Sequence, residues 1–164
     1  MTMSRRVTNL MLTAHVTTSV GWLGAVACFL ALSLVGLTSP DEQTVRAAYL
    51  VMAPTGWFVL VPLSVASLLT GLVQSLGTNW GLFRHYWVLF KLLMNVFATI
   101  VLLMYMQTLD YLASAARNAD LSGLRSPSPV LHAGLALLLL LVATVLAVYK
   151  PRGLTPYGWR KQRE

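Results

Sequence analysis

The sequence predicts an all-α polytopic membrane protein: an up-and-down bundle of four transmembrane helices with both termini in the cytoplasm. Four long apolar runs are almost free of charge, and each supplies the roughly 20 apolar residues that a helix needs to cross a bilayer. Charged residues make up 10% of the chain, whereas a soluble domain usually has about 25%. The basic residues also cluster at the ends of the runs, as they do in multi-span proteins.

The four predicted spans cover residues 10–36, 54–76, 86–109 and 130–149. They occupy nearly the whole chain, so we predict one transmembrane domain, 1–164, with no separate soluble part. The first run follows Arg5 and Arg6, as the core of a signal peptide would. It is longer than the roughly 7–15 apolar residues of such a core and no small-residue cleavage site follows it, so we predict a retained span.

Small residues recur at helical spacing in the first two spans. Small side chains let helix backbones approach closely in lipid, so we predict that both stripes are helix–helix seams. Cys28, the only cysteine, is interpreted as a packing residue of the first seam. The first stripe consists of Ala14, Thr18, Gly21, Ala25 and Cys28, with Gly24 beside it, and the second of Ser64, Ser67, Gly71 and Ser75.

Prolines mark the expected irregularities and helix starts. Pro54 and Pro62 each remove a backbone donor, so we expect the outer half of the second span to be bent or broken. Residues 44–52 are expected to continue that span helically, and residues 110–120 to extend the third span above the membrane. The run Ser126-Pro127-Ser128-Pro129 then ends this extension and begins the fourth span, because proline suits a first helical turn.

The distribution of Lys and Arg predicts the orientation of the bundle. Arg5, Arg6, Arg84 and the basic residues of the tail fall on one side if four spans alternate, whereas the connectors of the other side are nearly neutral. Basic connectors stay in the cytoplasm. The net charge of +7 is therefore interpreted as a topology signal and as a surface for anionic lipid at the cytoplasmic face, not for nucleic acid.

One group of polar residues is predicted in the cytoplasmic half of the bundle: His15 in the first span, with Arg84, His85, Lys91 and Asn95 around the start of the third. An ionisable residue within a span is a functional hypothesis by default. His15 is the candidate metal or haem ligand, and the other four are candidate cofactor contacts. A neutral imidazole bonded to a neighbouring helix is the alternative for His15. Lys91 either snorkels to the interface or faces the interior, where it would need an anion such as a haem propionate.

Several function classes lack support in the sequence. His132 is predicted near the outer end of the fourth span, on the order of 20 Å in depth from His15, so the two cannot ligate one metal ion. The predicted spans contain no Asp or Glu, which argues against proton-coupled pumps and cation transporters. The motifs H-E-x-x-H and G-x-S-x-G and the P-loop are absent, so the sequence gives no indication of a hydrolase.

Three stretches resemble a family of small bacterial four-span integral membrane proteins of unknown function. They are His15 followed by Trp22-Leu23-Gly24, RHYWVLFKLLMNV at residues 84–96, and the tail YKPRGLTPYGWRKQ at residues 149–162. This family is distantly similar to the membrane region of copper-resistance D proteins, in which an intramembrane histidine also precedes a tryptophan and a glycine. The resemblance implies a four-helix membrane fold and a location in the bacterial inner membrane, and it transfers no activity.

Two functional hypotheses follow from the sequence. The first is a non-catalytic partner or scaffold subunit, whose small-residue seams dock other membrane subunits or a second copy of the chain. The second is a membrane redox protein that binds haem b or a quinone in the cytoplasmic half, with His15 as axial ligand or polar contact. The first hypothesis needs fewer special assumptions. Small-solute transport has only the two prolines of the second span in its favour.

Overall fold

The chain is a bundle of long helices. A computed structural model describes residues 3–77, 81–118 and 124–163. The helix formed by α2, a π-helical turn and α3 is continuous, so four helices of the described chain are long and apolar enough to cross a membrane. The predicted all-α fold with four spans is confirmed. The elements are α1 (Arg5–Thr38), α2 (Glu42–Thr55), the π-helical turn (Gly56–Leu60), α3 (Val61–Gly77), α4 (Tyr86–Arg117), α5 (Ser128–Tyr149) and α6 (Pro156–Arg163).

The spanning helices are arranged in the order of the chain around a closed ring. α1 packs against α2, α3 and α5, and α4 packs against the same three helices, so α1 and α4 lie on one diagonal of the bundle. The amide of Met3 donates to the carbonyl of Gly77 over 3.3 Å, and that of Tyr86 to the carbonyl of Gly153 over 3.3 Å. Both chain ends therefore meet the α3–α4 connection at one end of the bundle, which we call the inner end. This is the up-and-down arrangement that the sequence predicts.

The two prolines of the second span leave its helix continuous. Pro54 lies on an exposed face of α2, and Pro62 follows the π-helical turn. In that turn the amide of Val61 donates to the carbonyl of Gly56, one residue further back than in an α-helix. A wider turn accommodates the ring of a following proline, which would otherwise clash with the carbonyl four residues earlier. The structure thus has a local π-helical turn where the sequence analysis expected a bend or break.

The apolar core is concentrated at the outer end, opposite the chain termini. The largest fully buried apolar side chains include Tyr49, Met52, Met106 and Leu109. Two of these side chains pack directly against a glycine, where a larger residue would leave too little space. A Cβ on Gly36 would lie 3.2 Å from the ring of Tyr49, and a Cβ on Gly56 would lie 2.7 Å from Met106 Cε. Such contacts replace the hydrophobic driving force that is missing between helices in lipid.

Polar contacts hold the outer ends of the helices. Asp41 caps α2 by accepting from the amides of Gln43 and Thr44, and its hydrogen bond with the Thr44 hydroxyl is the main reason that its pKa lies below the ordinary value. The Arg46 guanidinium donates to the carbonyl of Ala116 at 3.0 Å, near the end of α4. The predicted extension of the third span is confirmed as far as Arg117, whereas Asp120 lies outside the described residues.

The tail after α5 folds back onto the α3–α4 connection. Lys150 ends α5 in the left-handed conformation, with φ of 44°, and redirects the chain. Thr155 donates through its amide to the Arg84 carbonyl at 3.1 Å and through its hydroxyl to the Phe83 carbonyl. The same hydroxyl accepts from the amide of Gly158 at 3.1 Å, so it also caps α6. The tail is thus an integral part of the inner end.

The orientation in the membrane is testable because Asp41 and Gln162 lie at opposite ends of the bundle. With cytoplasmic termini, Asp41→Cys should react with a membrane-impermeant maleimide on intact cells, and Gln162→Cys only after permeabilisation. Both variants require a Cys28→Ser background, because Cys28 is exposed. The reverse labelling pattern would show that the inner end faces outward.

Candidate functional site in the inner half of the bundle

His15 lies half buried on α1 and contacts α3. Its Nδ1 is 3.1 Å from the carbonyl oxygen of Ser67 and 3.1 Å from Thr70 Oγ1. A carbonyl oxygen only accepts, so Nδ1 carries the proton and donates. A neutral His15 therefore keeps its other ring nitrogen, Nε2, as an acceptor or a metal ligand. The expected hydrogen bond to a neighbouring helix is present, and it leaves the ligating nitrogen unused.

Gly71 allows His15 to reach the backbone of α3. A Cβ at position 71 would lie 2.8 Å from His15 Cε1 and 3.3 Å from Nδ1. Both separations are shorter than the about 3.5–4.0 Å of favourable carbon contacts. On the same face of α3, Ser64 and Ser67 are buried, with exposed fractions of 0% and 1%. The predicted seam along Ser64, Ser67 and Gly71 is confirmed at these three positions.

Hydroxyl groups extend the contact from α1 through α3 to α4. Ser19 Oγ lies 2.8 Å from Ser67 Oγ, and Asn95 Nδ2 of α4 donates to that same Ser67 oxygen at 3.4 Å. Thr18 Oγ1 approaches Thr70 Oγ1 at 3.5 Å. Ser67 therefore joins three helices near the middle of the bundle, where interhelical hydrogen bonds contribute about 0.6–2 kcal/mol each.

Two buried polar atoms beside this network lack a hydrogen-bond partner in the described chain: Asn95 Oδ1 and Thr99 Oγ1. They lie one turn apart on α4, and Thr99 is only 5% exposed. Leaving such an atom unsatisfied costs about 1–3 kcal/mol. A polar ligand or an ordered water molecule would therefore be stabilised between α3 and α4.

Lys91 is partly buried within the bundle and extends toward its inner end. Its ammonium lies 5.9 Å from the centroid of the Trp87 ring, at the limit of a cation–π contact. The carboxylates within the described ranges all lie at the outer end, so none of them neutralises Lys91: they are Asp41, Glu42 and Asp110.

Arg84 and His85 lie before the first turn of α4, at the inner end of the bundle. α4 begins at Tyr86, so Arg84 lies in the preceding turn and His85 in an extended position paired with Leu154. Lys91 is roughly 9 Å further along the helix axis than His85, at about 1.5 Å per residue. Arg84 is a predicted cofactor contact together with Lys91, but the two share no helical face, because the helix starts after Arg84. Arg84 and His85 make their contacts at the inner end of the bundle, where the carbonyl of Arg84 accepts from the amide of Thr155 in the tail.

The small-residue stripe of α1 divides between two faces. A Cβ on Gly21 would lie 3.5 Å from Leu63, so Gly21 belongs to the seam with α3. Gly24 and Cys28 are exposed instead, because Val26 and Phe29 occupy the inward face of this part of α1. The interpretation of Cys28 as a packing residue within the bundle is therefore wrong.

Nothing in the sequence singles out Thr70 as the partner of His15. Serine and threonine are common in membrane helices, and only the rotation of α3 against α1 shows which of them meets the imidazole. Within residues 3–77, 81–118 and 124–163, no group of three His, Cys, Asp or Glu side chains could hold a metal ion. A metal at His15 would therefore need its other ligands from a cofactor such as a porphyrin.

No family model, curated protein or solved structure matches this chain. The resemblance to the four-span bacterial family stays a prediction.

The close approach of His15 to Gly71 predicts a stability cost for any side chain at that position. Gly71→Leu should lower the free energy of unfolding in mixed micelles by about 1–3 kcal/mol, since overpacking forces the helices apart. Gly134→Leu is the matched control, because a Cβ there would meet nothing within 4 Å. Equal stability of the two variants would contradict the seam.

Proposed function

We propose that the protein is a non-catalytic partner subunit of the bacterial inner membrane that docks another transmembrane helix on the outward face of α1. This proposal rests on the distribution of side-chain size over the exposed surface of the bundle. The outward faces of α3, α4 and α5 present large apolar side chains, which suit contact with lipid chains. They include Leu69, Val73, Phe97, Ile100, Leu135 and Leu138.

The outward face of α1 differs in its middle section. Gly24, Ala27, Cys28 and Ala31 are all exposed there and recur at helical spacing, and a Cβ on Gly24 would meet nothing within 4 Å. We call these four residues the α1 docking face. In lipid, close backbone approach and van der Waals packing drive helix association, and small residues on one face permit both. A second helix, from another membrane subunit or a second copy, therefore fits this face better than lipid does.

The inner end supplies a second element of the proposal, attachment to anionic lipid. Its basic side chains are exposed and form a cationic surface, and each contributes about 1 kcal/mol of attraction to an anionic surface. Tyr157 and Trp159 on α6 are exposed among them, as aromatic residues at a membrane interface often are. The basic residues are Arg5, Arg6, Lys150, Arg152, Arg160, Lys161 and Arg163.

Cross-linking through the native cysteine tests the docking face directly. Cys28 is the only cysteine of the chain and lies within this face. Treatment of native membranes with a short bismaleimide should give either a homodimer or one discrete adduct with another membrane protein, and Gly24→Leu should reduce its yield several-fold. Gly134→Leu should leave the yield unchanged.

Two results would exclude docking at this face. One is that Cys28 remains uncross-linked yet reacts freely with a lipid-soluble maleimide. The other is an adduct whose yield is the same in Gly24→Leu and in wild type, since the cross-link would then come from random collisions.

A second candidate function, binding of haem b or another anionic cofactor, is favoured by the geometry at His15. The ring orientation is fixed through Nδ1, as it is in metal-ligating histidines, whose second nitrogen usually donates to a carbonyl or carboxylate. Nε2 would ligate the iron, and Lys91 would meet a propionate, because no described carboxylate competes for its charge. Haem b would supply the redox chemistry.

Haem content decides this second function. Wild-type protein, purified in mild detergent after expression with added haem precursor, should show a Soret band and close to one haem per chain. His15→Ala should lose the band, whereas His85→Ala should keep it because His85 precedes α4, roughly 9 Å before Lys91 along the helix axis. A colourless wild type that also fails to bind added haemin would exclude haem, and the α1 docking face would be unaffected by that result.

A further inference from the structure

A second site lies in the outer half of the bundle, away from His15. A cavity of about 230 Å³ lies between α1, α4 and α5. It forms where α1 and α4 lie on the diagonal of the bundle, because their described backbones do not approach each other closely there. An apolar cavity of about 150 Å³ already holds a benzene molecule, so this one has room for a substituted ring. Its wall includes Trp22, Phe29, Phe97, Leu102, Tyr105 and His132.

The cavity opens toward the lipid. Phe97 of α4 and Leu135 of α5 belong to its wall and are also 61% and 66% exposed on the outside of the bundle. The opening therefore runs between α4 and α5, at the level of the hydrocarbon core. A molecule dissolved in the bilayer can reach it without crossing water, and its apolar part gains contact with aromatic walls.

One end of the cavity is polar. The rings of Tyr105 and His132 stack with centroids 4.0 Å apart and planes inclined by 19°. The Tyr105 hydroxyl lies 3.1 Å from Ser128 Oγ, and His132 Nδ1 lies 2.9 Å from the Ser128 carbonyl oxygen. These contacts fix the imidazole at the outer end of an otherwise apolar space.

The hydrogen bonds determine which ligand chemistry suits this end. The Ser128 carbonyl only accepts, so His132 Nδ1 carries the proton and donates to it. The neutral ring then presents Nε2 as an acceptor, and that nitrogen has no partner within the described chain. A ligand that places a hydroxyl here would complete the hydrogen bonding, whereas a ligand with only acceptor atoms, such as a ketone, would not.

We infer that this cavity is a binding site for a lipid-soluble ring compound that carries a hydroxyl group, of the phenol or quinol class. The ring occupies the space between Trp22 and Phe97, and the hydroxyl donates to His132 Nε2. The ligand enters from the bilayer between α4 and α5. This site is independent of the α1 docking face and of any cofactor at His15.

Brominated probes test both the cavity and the hydroxyl, because bromine quenches tryptophan fluorescence at short range and Trp22 lies in the cavity wall. In phosphatidylcholine nanodiscs, 4-bromophenol should quench part of the fluorescence saturably. The matched probe 4-bromotoluene, which lacks the hydroxyl, should bind about 2- to 10-fold more weakly, the worth of one hydrogen bond. Trp22→Phe should remove the saturable component from both titrations.

Variants of the cavity wall distinguish binding of the ligand's ring from recognition of its hydroxyl group. Ala136→Phe fills the cavity and should abolish saturable quenching by both probes, whereas Ala143→Phe, two turns along the same face of α5 and outside the wall, should not. If Ala136→Phe does not fold, Ala98→Leu serves as the filling variant. His132→Phe keeps an aromatic ring against Tyr105 and should equalise the two affinities.

Three results would overturn the inference. Wild-type protein without saturable quenching would show that lipid chains occupy the cavity or that it closes. Equal affinities of the two probes for wild type would show an apolar cavity without hydroxyl recognition. A preference for 4-bromophenol that survives in His132→Phe would place the acceptor at another residue.

Discussion

The absence of a side chain at Gly71 is the constraint on which the inner half of the bundle depends. Lipid removes the hydrophobic driving force between helices, so α1 and α3 must associate through close packing and polar contacts. Gly71 permits the close approach of α1 to α3, because it lets His15 reach the carbonyl of Ser67. Ser67 in turn contacts Ser19 and Asn95. One glycine thus positions a histidine, a serine cluster and the third spanning helix relative to one another.

The elements that the sequence could predict are those that depend on length and composition. The four apolar runs specify the spans, and Pro129 lies in the first turn of the last helix, as expected. The small-residue rule locates the seam of α3 correctly because Ser64, Ser67 and Gly71 follow one helical face. The interhelical hydrogen bond of His15 follows from the same reasoning, since a polar side chain in lipid needs a partner.

The features that the sequence does not predict depend on how each helix is rotated about its axis and on contacts between segments that are distant in the chain. Cys28 belongs by spacing to the α1 stripe, but Phe29 takes the inward position beside it. Arg84 is close to Lys91 in the sequence, but α4 begins only at Tyr86, so Arg84 lies outside the helix. The outer cavity arises from the separation of α1 and α4, a property of the whole bundle that no single span encodes.

The docked tail imposes an order on the making of this protein. Thr155 and Gly158 hold the connection between α3 and α4, yet both follow the last spanning helix in the chain. The inner end is therefore completed only when the fourth span has inserted and delivered the tail to the correct side of the membrane. A chain inserted with its last span inverted would lack the contacts between the tail and the α3–α4 connection. These contacts therefore distinguish correctly assembled molecules from misinserted ones.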